Sequence, residues 1–252
     1  MEQDAAALAR ELVHRLQKSE PNRRLLVGIS GIPASGKSTF AILLIEHLNA
    51  LLQSQNTHIS TAPATVPSHA ILVGLDGWHL TRAQLDAMPD PKLAHDRRGI
   101  HWTFDGHSYV AFVRSLREKV LPESVITAPS FDHALKDPTP DAVSILACHR
   151  IVIIEGLYTF LSIDPWKEAA LHLDERYLIQ VDFKEAQHRL VNRHVLTGVA
   201  KDMNEAIWRA EENDMPNGRF MLSNILEPTR VIVSKHDPTM NSSRISDAGR
   251  PN

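Results

Sequence analysis

Apolar residues recur along this chain in two rhythms. Over residues 1–19, Ala7, Leu8, Leu12, Val13 and Leu16 share one face at helical spacing, which predicts an amphipathic helix closed by Pro21 and Asn22. Residues 25–29 form an unbroken apolar run, the signature of a strand buried on both faces. Phe40, Leu43, Leu44, His47, Leu48 and Leu51 then return to the helical period. The polar stretch 53–69 holds two prolines and predicts a surface loop. Further strands are predicted at 71–75, 125–128, 151–154, 177–181 and 231–233. Helices are predicted at 107–121, with Asp105 as cap, at 184–196, and at 202–213, which opens on Asp202-x-x-Glu205. Residues 129–140, with three prolines, predict a loop, and the Ser-rich end from Ser234 a frayed tail.

Continuous apolar strands alternating with amphipathic helices predict an α/β fold with a mostly parallel sheet covered on both faces. Ligands of such sheets sit at the carboxyl ends of the strands, where Asp76 and Glu155 both fall. At 252 residues the chain fits one or two domains; 43% hydrophobic and 23% charged residues fit a soluble globular protein. A net charge of −3 argues against nucleic-acid and polybasic membrane partners. No apolar run reaches the ~18–20 residues of a membrane span. Glu2 and Asp4, with no apolar stretch after them, argue against a secretory leader. The single cysteine, Cys148, excludes an internal disulfide and fits a reducing compartment, so a cytoplasmic location is expected. Fourteen histidines raise the question of metal, but no H-E-x-x-H occurs, and His95, His101 and His107 recur every six residues, matching neither helix nor strand. No internal repeat is present, and oligomeric state is not legible.

The chemistry concentrates in Gly31-Ile-Pro-Ala-Ser-Gly36-Lys37-Ser38, which matches G-x-x-x-x-G-K-[ST]; this composition yields about 0.002 accidental matches. The predicted cradle comprises Gly31, Ile32, Pro33, Ala34, Ser35, Gly36, Lys37, Ser38 and Thr39, between a strand and a helix. Its glycines let the backbone turn N–H groups toward an anion, and the helix adds its positive end. Lys37 reaches the β- and γ-phosphates, and the Ser38 hydroxyl is a candidate Mg²⁺ ligand with Asp76 and Glu155 as the nearby carboxylates.

Such a loop predicts a bound nucleoside triphosphate and leaves three classes open. A GTPase finds support in Ser234-Lys235-His236-Asp237 and Asp96-Arg97-Arg98-Gly99, although the first lacks its Asn and the second follows no strand. A motor or assembly ATPase finds an apolar run at 151–154 that ends in one acid, Glu155. A small-molecule kinase uses more of the chain. Asp76, in Asp76-Gly77-Trp78-His79, stands where a carboxylate takes a proton from a substrate hydroxyl. Arg189 and Arg193, four apart, share a helix face from which they can meet a γ-phosphate, and Gly198 gives that helix freedom to act as a lid.

Together with Arg98-Gly99, Thr103-Phe104-Asp105, Pro129-Ser-Phe-Asp132-His133, Glu155-Gly156 and Asn213-Asp214-Met-Pro216-Asn217, these pieces run in order across residues 25–235. In them the chain resembles the uridine kinase, pantothenate kinase and phosphoribulokinase family of P-loop kinases, above all its fungal and bacterial uridine kinase-like branch. The resemblance implies a P-loop three-layer fold with a helical lid, and a kinase domain at 21–235 between an N-terminal helix (1–20) and a polar tail (236–252). It implies ATP and Mg²⁺ as cofactors, with a small hydroxyl-bearing metabolite as acceptor. It implies Asp76 as base, Ser38, Asp76 and Glu155 around the metal, and Lys37, Arg189 and Arg193 on the phosphates. His79, Arg98, Asp132 and His133 would then line the acceptor pocket. Two departures bear on the acceptor. Phe131-Asp132-His133 stands where uridine kinases have Tyr-Asp-Phe, and Asp76-Gly77-Trp78 is nearer the pantothenate kinase Asp-Gly-Phe.

Overall fold

The computed structural model describes residues 1–58, 68–132 and 135–235. Helix α1 (Glu2–Gln17) leads to strand β1 (Leu25–Ser30), helix α2 (Lys37–His58) and strand β2 (His69–Gly74). A 3₁₀ turn, Leu75–Trp78, precedes the short helices α3 (Arg82–Asp86) and α4 (Pro91–Asp96) and the helix α5 (Gly106–Ser115). Strands β3 (Val125–Asp132), β4 (Asp137–Leu146) and β5 (His149–Glu155) follow, then α6 (Trp166–His172), β6 (Glu175–Gln180) and α7 (Phe183–Leu196). Helix α8 (Met203–Arg209) passes through a π-helical turn, Ala210–Asp214, into α9 (Met215–Ser223), and β7 (Arg230–Val233) closes the series.

Five strands form one parallel sheet in the order β2-β5-β1-β6-β7. Its unbroken apolar strands are read face by face. Leu25, Val27, Ile29, Ile151 and Ile153 pack with the apolar stripe of α1 (Ala5, Leu8, Ala9, Leu12) and with Phe40, Leu44 and Leu48 of α2. Leu26, Val152 and Ile154 face the other way, toward Tyr109, Val113, Trp166 and Ala170. Gly28 leaves room on that second face, since a Cβ there would lie 2.5 Å from Leu173 Cδ1. Beyond the sheet, Trp78 meets Tyr109 edge-on at 5.4 Å and Phe112 at 4.8 Å, which anchors the turn carrying Asp76.

Several expected boundaries move. Residues 53–58, read as loop, extend α2, and the helix expected at 107–121 ends at Ser115. The loop expected at 129–140 is instead largely an antiparallel hairpin, β3 with β4, whose register shifts between Ala128 and Ser130, around Pro129. Proline is tolerated there because a two-stranded ribbon leaves one side of each strand unpaired. The helix expected at 202–213 runs on through the π turn to Ser223. The tail 236–252 lies outside the described residues.

Candidate active site

Strand β1 delivers the chain to the carboxyl edge of the sheet, where residues 31–36 loop back before α2 begins at Lys37. The loop turns through positive φ twice, at Ala34 (59°) and Gly36 (92°). Gly31 has no room for a side chain: a Cβ would lie 2.5 Å from Ser35 Oγ and 2.7 Å from the Ile179 carbonyl oxygen. The Ser35 N–H donates to Ile32 O at 3.0 Å and Phe40 N–H to Gly36 O at 2.9 Å, so loop and first helical turn form one rigid cradle. Ile32 and Ser35 are buried, Pro33 and Ala34 partly so, Thr39 lies in the first turn of α2, and Ser38 opens to solvent.

Two strand ends bring the acids to this cradle. Glu155 ends β5 beside β1, and Lys37 Nζ stands 4.0 Å from its Oε1. Burial pushes the Glu155 carboxyl above its usual range, and Asp76 adds to the rise. Lys37, a hydrogen bond from the Ser38 hydroxyl and Arg193 pull the other way. Asp76 sits in the 3₁₀ turn after β2 with its side chain exposed to the cleft. Gly77 lets that turn seat on the hairpin, because a Cβ would come 2.3 Å from the Pro129 carbonyl oxygen. Arg193 reaches in from α7. It is exposed, and desolvation nonetheless lowers its pKa against the opposing pull of Asp214, Asp76 and Glu155.

Arg189 shares the α7 face but serves another neighbour. Its Nε donates to Glu185 Oε1 at 2.8 Å and its Nη1 to Ser234 Oγ at 3.2 Å, and Ser234 adjoins Gly36. The residues expected to line the acceptor pocket form a second group. The His79 ring lies 3.9 Å from Phe104 and 5.0 Å from Phe131, with its Nδ1 2.8 Å from Asp76 O. Arg98 lies over the other ring, 5.5 Å from the Phe131 centroid, and pairs with Asp137 at 3.0 Å. Asp132 caps the hairpin tip, accepting from the Leu135 N–H at 3.1 Å. His133 lies outside the described residues.

Other expectations scatter. Asp96, the acid of the GTPase-like fragment, pairs with Lys92 on the exposed face of α4, and half of Ser234–Asp237 lies outside the described residues. His95 bonds to Asp86 and His101 stacks on Phe220 at 4.4 Å, while His107 is exposed, so the three face different neighbourhoods. His194 was not singled out from the sequence, whereas residues 213–217 were expected to cap the helix 184–196 and brace the pocket beside it. The signal was present in Asn213-Asp214-Met-Pro216-Asn217, where Asn213 Nδ2 donates to Arg98 O at 3.2 Å.

No family model matches the chain. An Aspergillus versicolor protein named "ATP-dependent kinase-like protein notR'" is 46% identical over 160 residues, 63% of this chain and 92% of that protein. "Putative uridine kinase C227.14" of Schizosaccharomyces pombe is 31% identical over 223 residues, 88% of both chains. A crystal structure from Silicibacter sp. TM1040, described as a "putative fructose transport system kinase", superposes with a TM-score of 0.73 at 28% identity, covering 90% of this chain and 98% of that one. A glycine-turned loop between a strand and a helix, facing Asp76 and Glu155 at the carboxyl edge of a parallel sheet, is the arrangement of a P-loop kinase. Within that class the chain belongs to the uridine kinase-like family.

Proposed function

We propose that this kinase moves the γ-phosphoryl group of ATP to a hydroxyl of a small metabolite of nucleoside, pantothenate-like or sugar-like type. The convergence of Lys37, Glu155, Asp76 and Arg193 on one cleft beside the phosphate cradle supports this reading. The loop N–H groups and Lys37 hold the phosphates. Asp76 accepts the proton as the substrate oxygen attacks the γ-phosphorus. The new O–P bond forms as the bond to the β,γ-bridging oxygen breaks, and ADP leaves with that electron pair. Arg193 meets the charge on the transferring group, so catalysis is mostly positioning and electrostatics. One hydroxyl and two carboxylates, Ser38, Glu155 and Asp76, fit Mg²⁺, which takes few protein oxygens and shares the rest with phosphates and water. When bound, that ion would neutralise phosphate charge. ATP is the expected nucleotide because relatives carry it in their names and no guanine motif is complete.

The test is ATP consumption across a panel of nucleosides, vitamins and sugars, with Asp76→Asn alongside. A phosphorylated acceptor appears with the native chain, and Asp76→Asn slows its formation at least a hundredfold, within the range of ~10²–10⁴ for a general base. Transfer by Asp76→Asn at the native rate refutes the base assignment. Acceptor-independent hydrolysis raised by a protein partner refutes the kinase reading in favour of an ATPase or GTPase.

A further inference from the structure

Helix α9 and the turn before it touch the phosphate cradle on one side and loop 97–101 on another. Gly218 makes the first contact. A Cβ there would lie 3.1 Å from Ile32 Cγ2 and 3.2 Å from Pro33 Cδ, so helix backbone meets cradle with no flexible side chain between them. Ala34, where the cradle turns through positive φ, packs against the apolar cluster that holds Ala210 and Met215. On the other side, the Asn213 amide donates to Arg98 O at 3.2 Å, and the Phe220 ring stacks on His101 at 4.4 Å. Buried Asn217 sets its Nδ2 3.5 Å from Asn213 Oδ1.

The π-helical turn Ala210–Asp214 adds a second tie. The Met215 N–H reaches back five residues to Ala210 O, and Pro216 has no N–H for the Glu212 carbonyl four residues before it. That carbonyl accepts from the Arg97 guanidinium. Loop 97–101 is thus bonded to this segment at two consecutive residues, the second of which carries its guanidinium over Phe131 and against Asp137. Phosphates held by the cradle N–H groups stiffen residues 31–36. Stiffening spreads where packing leaves no slack, and the path here runs from Ile32 and Pro33 through Gly218 to Asn213 and Glu212.

We propose that segment 210–218 is a brace through which a filled phosphate cradle fixes loop 97–101, with Arg97 and Asn213 as its positioning residues. The brace rests on the nucleotide-binding reading above. The probe is ADP with Mg²⁺, added to the full chain and read by amide hydrogen exchange. In the native protein it slows exchange over 31–39 and, by at least about fivefold, over 97–103, the low end of ordinary coupling between sites. Arg97→Ala combined with Asn213→Ala keeps the protection over 31–39 and an ADP affinity within about twofold, while the response over 97–103 falls below about twofold. Arg97→Ala with Asn213→Asp, equal in size but with no amide to donate, gives the same loss. Tyr158→Phe is the control. It removes a hydrogen bond that reaches the same loop from the stretch after β5, Tyr158 Oη to Gly99 O at 3.1 Å. Its loop exchanges faster without ADP and still responds to it. A native loop that ignores ADP while 31–39 is protected overturns the proposal. So does a full response in the double variants, or a response lost as completely in Tyr158→Phe, which makes the two ties merely structural. No protection over 31–39 in the native chain is a failure of the nucleotide reading, and the brace falls with it. A native response over 97–103 without transfer to any panel member supports the brace and is a failure of the acceptor reading alone.

Discussion

Gly77→Ala puts the seating of the Asp76 turn under direct strain. The added Cβ would sit 2.3 Å from the Pro129 carbonyl oxygen, 2.6 Å from its carbon and 3.1 Å from Ser130 N, all backbone atoms that no rotamer change can clear. Restoring ordinary contact requires the hairpin or the turn to shift by about 1 Å, an overpacking cost of about 2 kcal/mol. For a chain of this size that lowers Tm by about 4–8 °C. Asp76 is the neighbouring residue, and a displacement of about 1 Å at a reacting group costs roughly a hundredfold in rate. Gly74→Ala, three residues earlier, is the control. Nothing lies within 4 Å of its Cβ, and its backbone (φ −85°, ψ 126°) suits any residue. That variant keeps the native Tm or gains up to about 0.5 kcal/mol. Differential scanning fluorimetry and initial rates of ATP turnover read both effects. A Gly77→Ala protein that melts and turns over like the Gly74→Ala control refutes the packing described.

Two further outcomes concern pH. Burial raises the folded-state pKa of Glu155 above 4.5, so its ionised form costs stability that returns as pH falls through the raised value. Glu155→Gln therefore melts above the native chain at pH 7, the gap closes in acid, and turnover falls; a lower Tm at pH 7 means that Lys37 and the Ser38 hydroxyl outweigh burial. Burial lowers the pKa of His101, so below about 6.5 the unfolded chain takes the proton first and stability drops with pH. His101→Phe, which can still stack on Phe220, flattens the Tm profile between about pH 6.5 and 5, with half-buried His149 supplying the remainder; an unchanged slope argues against a neutral His101.

The sheet was legible because strands buried on both faces need no alternation: residues 25–29 and 151–154 admit few other readings. The cradle was legible because phosphate geometry demands glycine at fixed spacing. The hairpin hid because its residues are half-exposed and interrupted by Pro129, Pro138 and Pro140, which local rules assign to loops. The short helices α3, α4 and α6 hid because five to seven residues cannot display a helical period. Arg189 and Arg193 were placed together by helical spacing, which fixes a shared face and not a shared target; Glu185 and Ser234 hold the first beside the cradle's rim while the second enters the cleft. The Asn213–Asn217 motif was visible, but the contact of Asp214 was not, because His194 lies twenty residues away on another helix, beyond any local pattern.

The strand order also governs when the protein becomes competent during synthesis. Strand β1, which launches the phosphate cradle, is made among the first thirty residues, yet its flanking partners are residues 149–155 and 175–180. At about 5–20 residues per second, the cradle waits roughly 8–30 s for both neighbours to leave the ribosome. Until β5 is made, both edges of β1 are unpaired, while α1 and α2, made earlier, already offer one face of it their apolar residues. The loop after β1 therefore gains its two flanking strands only in the second half of synthesis, long after its own residues are made.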